Sequence, residues 1–288
     1  MNMNRRKLTA LFFCGIIMST FAQKRVLYIG DSITDGGWGR SGGSAKASKD
    51  RNHTDLNHVY GHSYMMLCAA YYQSQWPDSD WQFWNRGISG NTLYEMADRW
   101  QDDALALQPD VISILIGTND VAAYEQTCKK DGKAFTVENF DYSRWEQRYR
   151  HLLDTTRKVL PDVDIVLCTP FVGKSRGRAR IAVTDSLAQI VRKIANDYSA
   201  VLVPFDNLFA KLQKSEPTEK YWIWDDIHPT AAGHQRMAEL WEDLCHDVMI
   251  TNNHVSLNVT HEQLEQCPDG TNGRWRESGK AKSTCPCC

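Results

Sequence analysis

Short apolar runs recur along the chain, separated by longer stretches in which apolar residues return every three or four positions. Residues 25–30, 81–85, 110–116, 164–169 and 200–203 are five such runs, each of strand length. Between them the amphipathic period predicts helices over 63–75, 93–107, 141–159 and 183–198. A last helix is expected to open with Pro229 in its first position and to run to about residue 247. Strands alternating with helices predict a parallel sheet covered on both faces, a single doubly wound three-layer α/β sandwich of about five strands.

In such a sheet, ligands bind beyond the carboxyl ends of the strands. The polar residues that follow each strand should therefore gather at one edge. Asp31 and Ser32 follow the first strand, and Gly87, Ser89, Gly90 and Asn91 the second. Gly117, Thr118, Asn119 and Asp120 follow the third, and Trp-Asp-Asp-Ile-His-Pro at 224–229 precedes the last helix. A serine hydroxyl is a weak nucleophile that needs a base within hydrogen-bond reach, itself held by a third group. Asp225 and His228, three positions apart, supply that pair for Ser32. Acyl transfer also needs donors aimed at the developing oxyanion, and the backbone N–H groups of Ser32 and Gly90 with the side-chain amide of Asn119 are the candidates. The set requires no metal and no cofactor. Each residue also has a plainer reading: Ser32 and His228 as caps, Asn119 as a loop amide, and Gly90 as a turn residue. Asp31 and Asp120 are expected to bond neighbouring backbone and hold the loops.

Taken together, Gly-Asp-Ser-Ile at 30–33, Ile-Ser-Gly-Asn at 88–91, Gly-Thr-Asn-Asp at 117–120 and Asp-Asp-Ile-His at 225–228 resemble the four blocks of the SGNH (GDSL-type) hydrolases. The resemblance covers most of residues 25–244. It implies the flavodoxin-like version of the sandwich, with Ser32 as nucleophile, His228 as general base and Asp225 as its orienter. Ser32, Gly90 and Asn119 would form the oxyanion hole. The stretches NRGISGNTLYEMADRW, IGTNDV and WDDIHPTAAGH are similar to the acetylxylan esterase branch of that family, which removes acetyl groups from plant-polysaccharide fragments. The expected substrate is thus an O-acetyl ester on a xylan-type or similar oligosaccharide, cleaved through an acyl-serine. Indole faces stack on sugar rings, so Trp38, Trp222 and Trp224, which flank these blocks, are expected at the rim. Trp81, Trp84 and Trp100 are expected in the core.

Other acyl chemistries share the four blocks, so a lipase, lysophospholipase or thioesterase with a longer acyl group is the alternative. A metal-dependent phosphoesterase using Asp31 fits less well, because Ile33 stands where the haloacid dehalogenase pattern wants an acid. Gly39-Arg-Ser-Gly-Gly43 matches G-x-S-x-G but sits inside a loop rather than between a strand and a helix, which disqualifies Ser41. His53, His58 and His62 share that long loop, residues 36–62, without the fixed helical spacing of a metal site. The loop itself is expected to shape substrate access.

Charge and termini narrow the partners. With 33 Lys+Arg against 35 Asp+Glu, the chain has no electrostatic footprint of a nucleic-acid binder. Arg5, Arg6 and Lys7 precede an apolar stretch over 8–21 and then Ala22, the pattern of a cleaved secretory signal. That stretch is too short for a comfortable membrane span, and no later one reaches spanning length. We therefore expect a signal over 1–22, a hydrolase domain over 23–250, and a secreted or periplasmic protein without membrane insertion. Cleavage moves the net charge from −2 to −5. Residues 251–288 read as a polar tail bearing Cys267, Cys285, Cys287 and Cys288, whose Cys-Pro-Cys-Cys spacing is too tight for a common zinc pattern. Cys68 and Cys168 sit in apolar runs and are expected as small buried hydrophobes.

Overall fold

Val26, Leu27, Tyr28 and Ile29 are all buried, and their side chains alternate between two separate cores. Such a continuous apolar run is what a strand needs when both faces of its sheet are covered. The computed structural model describes residues 23–37 and 60–250. The segment read as a signal, Trp38, Ser41, His53, His58 and the cysteine-bearing tail lie outside the described residues. The strands are β1 (Lys24–Gly30), β2 (Trp81–Gly87), β3 (Val111–Leu115), β4 (Asp164–Cys168) and β5 (Val201–Val203). They form one all-parallel sheet in the order β2-β1-β3-β4-β5, the flavodoxin-like order. Gly30 pairs with both Gly87 and Leu115, so the ends of β1, β2 and β3 are level and the residues that follow them share one edge.

Nine α-helices appear among the described residues. They are α1 (Ser32–Asp35), α2 (Tyr64–Gln75), α3 (Leu93–Asp98), α4 (Trp100–Asp103), α5 (Thr118–Lys130), α6 (Tyr142–Val159), α7 (Arg178–Asp197), α8 (Phe205–Leu212) and α9 (Ala231–Ile250). On one face Val26, Tyr28, Val111 and Val166 pack with residues of α2, α8 and α9. On the other, Leu27, Ile29, Ile112 and Ile165 pack with residues of α3, α6 and α7. The first core carries an internal polar pair: Trp241 of α9 is fully buried and donates its Nε1–H to the Ser113 hydroxyl of β3, 2.9 Å away. Cys68 and Cys168 are buried and free, and burial pushes the Cys168 thiol up to about 12, which removes its thiolate reactivity. No helix among the described residues is long and apolar enough to cross a membrane.

Four features differ from the pattern-based expectation. The helix expected over 93–107 is broken into α3, α4 and a 3-10 turn, because the chain bends at Arg99 to send that side chain inward. α7 begins five residues before the expected 183, its first turn being polar and so carrying no apolar period. α5 carries no strong apolar stripe in sequence and buries Thr118 and Asp120 alongside Val121 and Cys128, whereas α8 does carry one, Phe205, Leu208, Phe209 and Leu212, but over only eight residues. Finally, Pro229 does not open α9. It forms an isolated antiparallel bridge with Ile223, while Thr230 accepts the Gly233 N–H at 3.2 Å and caps the helix.

Candidate active site

The loop before α9 is built by its own aspartate. Asp225 Oδ1 accepts the backbone N–H groups of Ile227 (3.0 Å) and His228 (2.7 Å), folding the chain into an Asx turn. The same carboxylate's Oδ2 lies 2.7 Å from His228 Nδ1. One acid thus shapes the turn and orients the imidazole. Trp224 N–H to His228 C=O at 3.1 Å and the Ile223–Pro229 bridge close the loop at its base. Arg176 donates to the Asp225 carbonyl at 2.9 Å, and Gly173 N–H to Asp226 C=O at 2.8 Å, pinning the loop to the segment after β4. Burial alone would push the Asp225 carboxyl up, but the N–H groups and ring of His228 and the N–H of Ile227 outweigh it and hold it below the usual carboxylate range. Because that ionised carboxylate can only accept, Nδ1 of His228 carries a hydrogen, and Nε2 presents its lone pair outward.

Ser32 Oγ lies 2.8 Å from that Nε2. The serine arrives there because Asp31, buried at the tip of β1, caps the short helix α1 through Ile33 N–H at 2.9 Å, placing Ser32 at the first helical position. At that position a backbone N–H has no intrahelical acceptor, so the Ser32 N–H points off the helix end toward any ligand there. Asn85 of β2 secures the far end of α1, its amide donating to the carbonyls of Thr34 and Tyr60, each at 2.9 Å. Burial pushes the Asp31 carboxyl up to about 6, against the Ile33 N–H and nearby His228.

Beyond β2 the chain turns over 88–91, closed by Asn91 N–H to Ile88 C=O at 3.1 Å, with Gly90 at φ +87° in the third position. That is the type II signature, which favours glycine for its backbone angle. Asn119, in the first turn of α5, donates from Nδ2 to the Asn91 carbonyl at 3.2 Å, and its amide has a second hydrogen to give. Both oxygens of Asp120 lie 3.1 Å from Leu93 N–H, so this acid holds the start of α3, and burial pushes its carboxyl up to about 7. Asp31 and Asp120 therefore bond backbone, as expected for loop-holding acids. Of the tryptophans, Trp224 is 59% exposed and its ring stacks on His228 with centroids 6.1 Å apart. Trp222 instead packs half-buried against the core, as do Trp81 and Trp84 on their respective sides, while Trp100 is buried. Among the described residues no group of three or more His, Cys, Asp or Glu side chains is arranged to hold a metal ion.

Arg99 was not foreseen, since in sequence it shows only an i,i+4 pairing with Asp103, the pattern of a solvated helix face. In the fold its guanidinium ties four elements together: Gly30 C=O at 3.2 Å, Arg86 C=O at 2.8 Å, Asn91 Oδ1 at 2.8 Å and Asp103 Oδ2 at 2.6 Å. It thus braces the ends of β1 and β2 and the turn that carries Gly90. Lysine keeps the charge for Asp103 but lacks the planar fork. We expect Arg99→Lys to lower kcat by roughly tenfold to a hundredfold with KM little changed, through misplacement of the donors. Steady-state kinetics on a small acetyl ester check this, and an unchanged kcat would remove the bracing role.

The chain matches the GDSL-like lipase/acylhydrolase family over residues 28–236. It is 29% identical over 217 residues to an acetylxylan esterase of Geobacillus stearothermophilus, covering 75% of this chain and 90% of that one. The crystal structure of Axe2, an acetylxylan esterase from the same organism, superposes with a TM-score of 0.61 at 26% identity, covering 80% of this chain and 95% of that chain. A GDSL-like protein from Parabacteroides merdae gives a TM-score of 0.64 at 32% identity, covering 78% and 98%. Structures of catalytic mutants of Axe2 replace a serine, an aspartate and a histidine, the last two three positions apart. With a family match that spans most of the sheet and every strand end described above, the chain belongs to the GDSL-like lipase/acylhydrolase family and is a carboxylic ester hydrolase.

Proposed function

We propose that the protein is an exported serine esterase that removes O-acetyl groups from carbohydrate, xylan-type oligosaccharides or similar, through an acetyl-serine intermediate. The observation that carries this reading is the hydrogen-bonded line Ser32–His228–Asp225 at the sheet edge. Axe2, whose catalytic mutants change a serine, an aspartate and a histidine with the same three-residue Asp-to-His spacing, supports the acetyl-carbohydrate assignment. Ser32 Oγ attacks the ester carbonyl carbon as its proton passes to His228 Nε2, and Asp225 stabilises the imidazolium. The N–H groups of Ser32 and Gly90 and the Asn119 amide receive the oxyanion. When the carbon–oxygen bond to the sugar breaks, His228 returns the proton to the sugar oxygen. Water then attacks the acetyl-serine, giving its proton to His228, and Ser32 leaves with that proton as acetate departs.

Trp224, exposed beside His228, and Trp38 are assigned to the sugar-facing rim, and Trp222 to the support behind it. The basic trio and apolar stretch ahead of Ala22 support export by a cleaved signal, with residues 23–250 as the catalytic domain. Acetate release from acetylated xylo-oligosaccharides, beside hydrolysis of nitrophenyl acetate and nitrophenyl octanoate, tests the reading. Acetate release and a preference for the acetyl ester are expected. A preference for the octanoyl ester without acetate release from the sugar would replace it with a lipase or thioesterase.

A further inference from the structure

A cleft of about 870 Å³ opens between the start of α3, the exposed side of α5 and the segment over 131–141. That volume lies within the range of small-molecule sites. Asp120 and Thr92 line it: Asp120 follows the proposed oxyanion donor Asn119 in the chain, and Thr92 follows Asn91, whose carbonyl accepts the Asn119 amide at 3.2 Å. Its walls are held by bonds within the protein and need no ligand to form. Tyr124 of α5 donates its hydroxyl to Thr136 C=O at 2.8 Å and packs edge-on against Phe140, with centroids 5.3 Å apart. Arg144 of α6 lies over the Tyr94 ring, 5.4 Å from its centroid.

The lining decides what can occupy it. Tyr94, Tyr124 and Phe140 give aromatic surface. Among the lining carboxylates Glu95 and Asp141 cap α3 and α6, Asp120 holds Leu93 N–H and Asp131 pairs with Lys133 at 3.1 Å, each keeping acceptor capacity, while Arg144 adds a second cation. An acyl chain placed here would strip water from charged groups and offer them nothing in return. An anionic ligand would meet more acids than bases. A neutral carbohydrate suits both kinds of surface: its hydroxyls donate to carboxylates, and its C–H faces lie on aromatic rings.

We propose that this cleft is the subsite for sugar residues beyond the acetylated one, so that the enzyme prefers an ester on a neutral oligosaccharide chain to the same ester on a single sugar. The proposal rests on the carbohydrate-ester reading above. The test is kcat/KM for acetate release from singly acetylated xylose, xylobiose and xylotetraose. We compare the wild type, Tyr94→Ala and Ala123→Trp, the last filling the cleft from an exposed position on α5 without removing a core contact.

In the wild type the tetramer-to-monomer ratio of kcat/KM should be about tenfold, and each variant should bring it close to one. A wild-type ratio near one, or a ratio that both variants leave unchanged, overturns the subsite while acetate release itself upholds the parent reading. No acetate from any of the three sugars overturns both. If instead the wild type favours nitrophenyl octanoate and Ala123→Trp abolishes that preference, the cleft holds an acyl chain and the proposal is wrong.

Discussion

Replacing His228 by alanine should slow hydrolysis of an acetyl ester by roughly a millionfold in kcat, and Ser32→Ala should do the same. The double variant should be no slower than either single. The reason is in the geometry: the Ser32 hydroxyl has one base, the Nε2 at 2.8 Å, and that base has no other task. Removing either partner leaves the other without function, so the losses do not multiply. Asp225→Asn should cost less, on the order of ten-thousandfold, because an amide at that position can turn its NH2 toward Nδ1 and favour the wrong tautomer while the ring stays in place. Asp225 Oδ1 also holds the turn over 225–228, so the asparagine variant, which keeps an acceptor there, separates orientation of the imidazole from folding of the loop. Rates on nitrophenyl acetate, with circular dichroism to confirm folding, measure all four enzymes. Losses that multiplied in the double variant would show that Ser32 and His228 act independently, and the proposed mechanism would fail.

Much of the architecture could be read from the sequence, for a definite physical reason. Strands buried on both faces must be continuously apolar, so β1, β3 and β4 stand out as runs, and their polar ends mark one edge. α8 escaped because its apolar face spans only eight residues, and α5 because part of its burial is polar. α5 turns Thr118 and Asp120 inward, and Asp120 earns its place by holding Leu93 N–H, a contact 27 positions distant along the chain that no local period reveals. Arg99 is the same case, an i,i+4 partner of Asp103 by pattern and a brace for three backbone segments in the fold. Proline before a helix reads as its first residue, yet Pro229 was claimed by the bridge to Ile223, which the His228 loop needs in order to close. The four site blocks were legible because each is a strand end or loop whose chemistry is local. Asp31 and Asp120 were legible as loop-holding acids because they lie inside those blocks, whereas Arg99 was not, because its partners come from elsewhere in the chain.

Gly30→Ala should be among the most damaging single methyls that can be added at this edge, costing about 3 kcal/mol or more in stability. A Cβ on Gly30 would sit 2.2 Å from the backbone oxygen of Leu115 and 2.9 Å from Thr34 Oγ1. A backbone carbonyl in the middle of a parallel sheet has no rotamer to change, so β1 and β3 must part or the tip of β1 must twist. Either movement reaches the chemistry. Ser32 lies two residues on, and the Gly30 carbonyl accepts both Ile88 N–H at 3.0 Å, which sets the turn bearing Gly90, and Arg99 at 3.2 Å. A displacement of about 1 Å is enough to lower kcat roughly a hundredfold. Gly90→Ala supplies the contrast, since a Cβ there meets nothing within 4 Å and the penalty comes only from φ +87°. That backbone strain should cost about 1–2 kcal/mol. Urea unfolding midpoints, with kcat measured well below the transition, should therefore place Gly30→Ala below Gly90→Ala in stability. If Gly30→Ala keeps the wild-type midpoint and rate, the close approach of β1 to β3 does not set the position of Ser32.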